Sequence, residues 1–275
     1  SSVQNKEGEI PSNDEAVSNI VALGEGLDVV GVYASGNIFN GFMNSFGQFN
    51  WSESNSFNFD YSIYYKGDKA VKSNYAGFEW QPAQFESIFI EAKEQYELLK
   101  MPQKKLSPGI FRAYITPSGV VSLLEMLCWG GFSEKQVRTK NSSLLKLYEE
   151  KESLHESISI GENVRDSIAP NFQYQGFSKP DEVALISRGK YASCLISPRT
   201  AKEYSIKTNG ANSSEIPVSL SMAPGSISAD AILKELGTGI YINNLWYLNY
   251  SDRSNCRITG MTRFACFWVE QGEIV

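Results

Sequence analysis

Residues 57–65 alternate strictly. Phe57, Phe59, Tyr61, Ile63 and Tyr65 are separated by Asn58, Asp60, Ser62 and Tyr64. A period of two predicts a half-buried strand. Leu27–Ala34 (LDVVGVYA) predicts an earlier strand. The run Gly36–Phe59 mixes Phe and Trp with Asn, Gly and Ser, which predicts hairpins with much turn chemistry. Lys66-Gly67-Asp68 turns the chain, and Ala70–Trp80 returns it. Then the period changes. Pro82 opens a helix reaching about Lys100, with Phe85, Ile88, Phe89, Ala92, Tyr96 and Leu99 on one face. Gly109–Ile115 reads as a strand. Ser118–Trp129 reads as a helix apolar on most faces, hence buried, and Gly130-Gly131 ends it. Ser142–Leu154 is charged and amphipathic, which predicts a surface helix.

The remainder is again strand-rich. Ile158–Ile160 predicts a short strand, and Asn163–Pro180 a long loop of the kind that often carries function. Val183–Ser187 and Tyr191–Ile196 flank a glycine turn, so they predict a hairpin. Pro198–Tyr204 predicts a helical turn, Ile216–Met222 a strand, and Ala229–Leu236 a helix capped by Ser228. Residues 239–275 predict an antiparallel meander of four strands, punctuated at Ser251–Asn255 and Gln271-Gly272. At the other end, residues 1–14 are polar and read as a loop. Asp14–Leu23 reads as a short helix capped by Asp14. Two strand-rich blocks, 27–80 and 183–275, therefore flank a helical middle. The fold class expected is α+β with mostly antiparallel sheets.

Composition narrows the function. The chain has 275 residues, 42% hydrophobic, enough for a core without covalent staples. Its net charge of −6 argues against a general nucleic-acid binder, which needs a basic face. Cys128, Cys194, Cys256 and Cys266 form no CxxC pair, so they read as reduced thiols of a cytoplasmic protein. The most apolar stretch, Gly119–Phe132, is too short to span a bilayer and is broken by Glu125.

Catalytic motifs are scarce. The single histidine, His155, stands in Leu-His-Glu-Ser, but the second histidine of an HExxH zinc helix does not follow, since residues 159 and 160 are Ser and Ile. No GxSxG, GxGxxG or phosphate-loop pattern is present. The remaining signal is aromatic: Phe39, Phe42, Phe46, Phe49 and Trp51 interleave with Asn40, Asn44, Gln48 and Asn50. Such a surface packs a sheet, or lines an edge that accepts a peptide as an added strand.

Several separate words resemble one family. Gly237-Thr238-Gly239-Ile240, Arg257–Arg263 (RITGMTR) and Phe267–Ile274 (FWVEQGEI) resemble the C-terminal signature of the TldD/PmbA proteins. Val32–Gly36, Asn44–Gln48 and Asp68–Lys72 are similar to its central region. That family is described both as modulators of DNA gyrase and as peptide-maturation proteases.

The resemblance implies the C-terminal part of that fold over residues 27–275, with 1–26 leading in from an N-terminal α/β domain and a tail following Val275. It implies a dimer, with a TldD-like zinc-bearing subunit or with itself, around a cavity for unfolded peptide. Asn44, Phe46, Gln48, Trp246, Thr259 and Met261 are the candidate peptide-binding residues. Active members carry an HExxxH helix and a later Cys that bind zinc. Over that motif, Leu124 and Trp129 stand at the histidine positions and only Glu125 matches. Neither leucine nor the donor-only indole can ligate a metal. The expectation is a PmbA-like, metal-free subunit, with Glu125 buried against an arginine. The alternatives are a zinc peptidase with an unrecognised site and a peptide-binding module without proteolysis.

Overall fold

The computed structural model describes residues 1–275. The first half runs β1 (Ser2–Lys6), α1 (Asn13–Leu23), β2 (Asp28–Met43), β3 (Phe49–Lys66), β4 (Lys69–Gly77), α2 (Pro82–Leu98), β5 (Ala113–Ile115), α3 (Pro117–Leu127), α4 (Glu134–Arg138) and α5 (Leu145–Tyr148). The second runs β6 (Ile160–Asn163), β7 (Glu182–Ser187), β8 (Lys190–Tyr191), α6 (Pro198–Tyr204), β9 (Leu220–Met222), a 3-10 turn (Ala229–Ala231) and α7 (Ile232–Leu236). It closes with β10 (Gly239–Ile242), β11 (Asn244–Asp252), β12 (Arg257–Arg263), β13 (Phe267–Glu270) and β14 (Glu273–Ile274). Three four-stranded sheets and one two-stranded ribbon make an α+β architecture, as expected.

The run expected to hold several hairpins is one long hairpin. β2 and β3 pair without a register shift from Asp28–Tyr64 to Met43–Phe49. Turn chemistry is confined to residues 44–48. There Asn44 Oδ1 accepts from the amides of Phe46 (3.0 Å) and Gln48 (3.2 Å), and Gly47 takes a positive φ of 80°. The other edge of β3 is shared. β4 pairs with its C-terminal half and β1 pairs parallel with its N-terminal half. Residues 1–14 are thus not a loop. β1 is polar, so its strand character comes from docking on β3 rather than from its own pattern. The helix behind it is capped by Ser12, two residues ahead of the expected Asp14.

The two halves of this sheet bury opposite faces. At the β4 end, Phe57, Phe59, Tyr61 and Ile63 pack under α1 and α2, where Phe85 and Phe89 meet them. At the β1 end the buried residues are Asn50, Ser52 and Ser54. That face is covered by the 164–178 segment. The Gly176 carbonyl accepts from Gln48 Nε2 (2.5 Å) and Asn50 Nδ2 (3.0 Å), and Gln4 Oε1 accepts from the Asn171 amide (3.2 Å).

The predicted meander is two separate structures. β10 pairs with β13, β13 with β14, and β5 joins β10 in parallel, so the sheet order is β14-β13-β10-β5. β11 and β12 leave that sheet as a ribbon of their own. The chain departs at buried Asn243, whose Nδ2 donates to Gln95 Oε1 on α2 (3.0 Å). It returns through Phe264, at a positive φ of 61°. Only Asn243-Asn244 and Thr262-Arg263 interrupt the apolar positions at the two junctions, too short a signal to show that the chain changes sheets there.

Gly239 fits where β10 meets β5 because a Cβ there would stand 2.4 Å from the Arg112 carbonyl. Gly239→Ala is therefore expected to cost about 2 kcal/mol in urea unfolding. An unchanged midpoint would show that the two strands can part freely.

Two further readings change. Ser142–Leu154 is not a surface helix: only Leu145–Tyr148 is helical, and Ser142, Ser143, Leu144 and Leu147 are buried. Glu150 ends the turn at a φ of 56°, so the amphipathic period had no helix to continue into. The 118–129 helix is not buried either. Its Val121 is 52% and the following Trp129 53% exposed, because the second core takes only one side of it.

Candidate functional site

The candidate site is α3 and the ribbon that grips its C-terminus. Thr116 starts the helix: its hydroxyl accepts from the Gly119 amide (3.3 Å) and donates to the Asn243 carbonyl (2.7 Å). Pro117 then fills the first turn. Leu124 and Leu127 pack inward against the second core, around Phe132, Leu144, Leu147, Ile160, Leu185 and Ile186. Glu125 points the other way. It is exposed and makes no ion pair, contrary to the expected buried Glu–Arg pair, because it lies on the helix side that no other element covers. Cys128 Sγ donates to the Leu124 carbonyl (3.3 Å). Burial, then the nearby Glu125 and Glu162, push its pKa up to about 11, so the group rests as a thiol near neutrality.

The last carbonyls of a helix need partners from elsewhere. Tyr250 of β11 donates its hydroxyl to the Met126 carbonyl (2.7 Å) and lies 3.1 Å from Ser143 Oγ. Arg253, in the ribbon turn, donates to the carbonyls of Trp129 and Asn141 (the latter 3.2 Å). The Trp129 ring meets Tyr250 edge-on at 6.5 Å. Sequence reasoning missed both clasp residues. Their only signal was position, Arg253 inside the Ser251–Asn255 turn cluster and Tyr250 just before it. Tyr250→Phe is expected to cost about 1 kcal/mol, read as faster amide exchange in the last turn of α3. Unaltered exchange there would remove the clasp.

The six sequence candidates fall into two groups. Met261 stands directly opposite Trp246, and Thr259 opposite Asn249. Thr259 and Met261 are two residues apart on one strand, so with Trp246 they share one ribbon face. It is the outer face, because Tyr250 and its partner Ile258 occupy the other against α3. Arg263 stacks on the Trp246 ring with its guanidinium 3.8 Å from the centroid. Asn44, Phe46 and Gln48 sit instead at the tip of the β2–β3 hairpin. Asn44 closes the turn, Gln48 holds Gly176, and Phe46 protrudes, 94% exposed. No hydrogen bond or ring contact joins the two groups. His155 is exposed, with Nδ1 2.9 Å from Ser157 Oγ.

Zinc does not fit these residues. Leu124 is turned into the core, Trp129 offers only a donor, and no group of three His, Cys, Asp or Glu side chains converges anywhere in the structure.

Residues 108–275 match the PmbA/TldA metallopeptidase C-terminal domain. No curated protein matches the chain in sequence. The fold is that of a Thermotoga maritima protein named for modulation of a DNA gyrase (TM-score 0.75, 18% identity, 98% of this chain and 66% of that one). A Bacteroides thetaiotaomicron protein named likewise is similar (0.75, 17%, 98% and 64%). So is TldE from Thermococcus kodakarensis (0.72, 17%, 95% and 62%). The chain thus spans a little under two thirds of the length of these solved structures. No helix is long and apolar enough to cross a membrane. With the matched domain covering more than half of its length, the chain belongs to the PmbA/TldD metallopeptidase family.

Proposed function

We propose that this chain is a non-catalytic, PmbA-like subunit of a peptide-processing metallopeptidase assembly. It pairs with a zinc-bearing TldD-like relative and supplies part of the wall of the peptide cavity. The observation that carries this reading is the state of α3. At the two positions where active relatives carry histidine, one side chain is packed into a core and the other is an indole against Tyr250. Glu125 is exposed, yet without a polarising metal a lone carboxylate does not activate water for amide cleavage. The outer ribbon face, with Trp246, Thr259 and Met261, offers the apolar and hydrogen-bonding mixture that an extended peptide needs.

Elemental analysis of the purified protein tests the first half. Substoichiometric zinc is expected, and one zinc held per chain would overturn the reading. Co-expression with an HExxxH relative tests the second. Peptidase activity is expected only in the co-purified complex, and failure of the two chains to associate would remove the subunit role.

A further inference from the structure

The ribbon concentrates positive charge. The chain as a whole is acidic, at −6. Yet Arg257 and Arg263 stand at the two ends of β12, and Arg253 in the turn beside it. Arg257 and Arg263 are six residues apart, so both lie on the outer face with Thr259 and Met261, about 20 Å from each other along the strand. Neither is in an ion pair. Asp252 faces Arg257 across the ribbon, but its oxygens are taken by Asn255, from the amide (3.2 Å) and from Nδ2 (2.6 Å). Glu125 lies on α3, behind the opposite face. β12 pairs with β11 on one edge and its other edge is unpaired. A two-stranded ribbon is marginal by itself, and its open edge presents unpaired N–H and C=O groups to which another strand can be added.

We propose that β12 selects an acidic extended peptide, added along its free edge, with Arg257 and Arg263 each opposite a carboxylate. The two acidic side chains lie six residues apart. Between them, on the same face, apolar side chains rest beside Met261 and the Trp246–Arg263 stack. This deepens, and rests on, the peptide-cavity reading above. Opposite charges on neighbouring strands attract, and like charges repel. The two arginines therefore act as specificity-determining residues rather than as general glue.

The test uses two labelled, end-capped heptapeptides, Glu-Thr-Leu-Thr-Leu-Thr-Glu and its Lys-ended counterpart, titrated with the whole chain and followed by fluorescence anisotropy. Each reads the same in both directions, so strand polarity does not matter. The acidic peptide is expected to bind on the order of tenfold more tightly, with the difference shrinking as salt rises. Arg257→Glu with Arg263→Glu is expected to reverse the preference. Arg257→Glu alone, at an exposed position outside the Trp246 stack, should abolish most of it in a chain that melts normally. Equal binding of both peptides would overturn the charge selection and leave the cavity reading intact. An acidic preference that survives in the double variant would also overturn it, by placing the site elsewhere. Binding of neither peptide would remove the cavity reading and this inference together.

Discussion

Phe85→Ala is expected to cost about 3–5 kcal/mol, the largest loss for any single side chain in this protein. Phe85 sits in the first turn of α2 and is 1% exposed. Its ring meets Trp80 at 4.9 Å, Tyr75 at 5.5 Å, Phe89 at 5.9 Å and Phe59 at 6.0 Å. Truncation would leave a hole bordered by four rings. Three of them stand on the sheet or the loop after it, where the ladder and Pro82 prevent collapse. In a chain of this size the loss corresponds to a fall in Tm of roughly 10 °C, with reduced near-ultraviolet dichroism from the aromatic cluster. Phe85→Leu should recover about half. A cost below about 1 kcal/mol for the alanine variant would mean that α2 can settle onto the sheet without this ring.

Glu215→Gln is expected to lose about 3 kcal/mol, through polarity rather than volume. Glu215 is 1% exposed. One carboxylate oxygen accepts from Ser133 Oγ (2.6 Å) and the Lys135 amide (2.9 Å) at the start of α4. The other accepts from the Ser197 amide (2.8 Å) at the start of α6. One anion thus serves two helix N-termini. Burial by itself raises the pKa, but the bonds from Ser133, Thr200 and the two amides outweigh it and hold the carboxyl below its ordinary 4.5. The sign follows. A lowered folded pKa gives stability that is complete above about 4.5 and is lost as the pH falls through the lower, folded value. An amide would turn donors toward donors at every pH. The gap between the natural protein and Glu215→Gln, measured in urea, should therefore be widest near neutrality and narrow as the pH falls through the lowered folded pKa. A constant gap would rule out the carboxylate charge as its source.

How legible this was depends on what each residue needed. The 57–65 alternation and the Pro82 helix were readable because each buries its apolar set against a partner that any such pattern requires. β1 was not, since only Val3 interrupts its polar run and its partner lies nearly fifty residues away. The apolar period of α3 announced a buried neighbour but not how much of the helix that neighbour would cover, so Trp129 was misplaced. At the site, the inability of Leu124 and Trp129 to ligate a metal could be read residue by residue. Glu215 could not be, because its partners belong to two helices contributed by distant segments. The ribbon face was half visible: Thr259 and Met261 alternate, but that Trp246 stands opposite Met261 follows only from the register across the turn.

The sheet that buries one face at one end and the opposite face at the other limits how this protein can change its length. Side chains alternate along β3, so a single residue inserted near Asn55 would turn Asn50, Ser52 and Ser54 outward while Phe57–Ile63 stayed in place, or the reverse. No compensating insertion in β2 could restore both. The hairpin can grow or shrink only at its 44–48 tip, or by pairs of residues in both strands at once. Homologues should therefore differ freely in length at that tip, and between β2 and β3 their ladders should differ by even numbers.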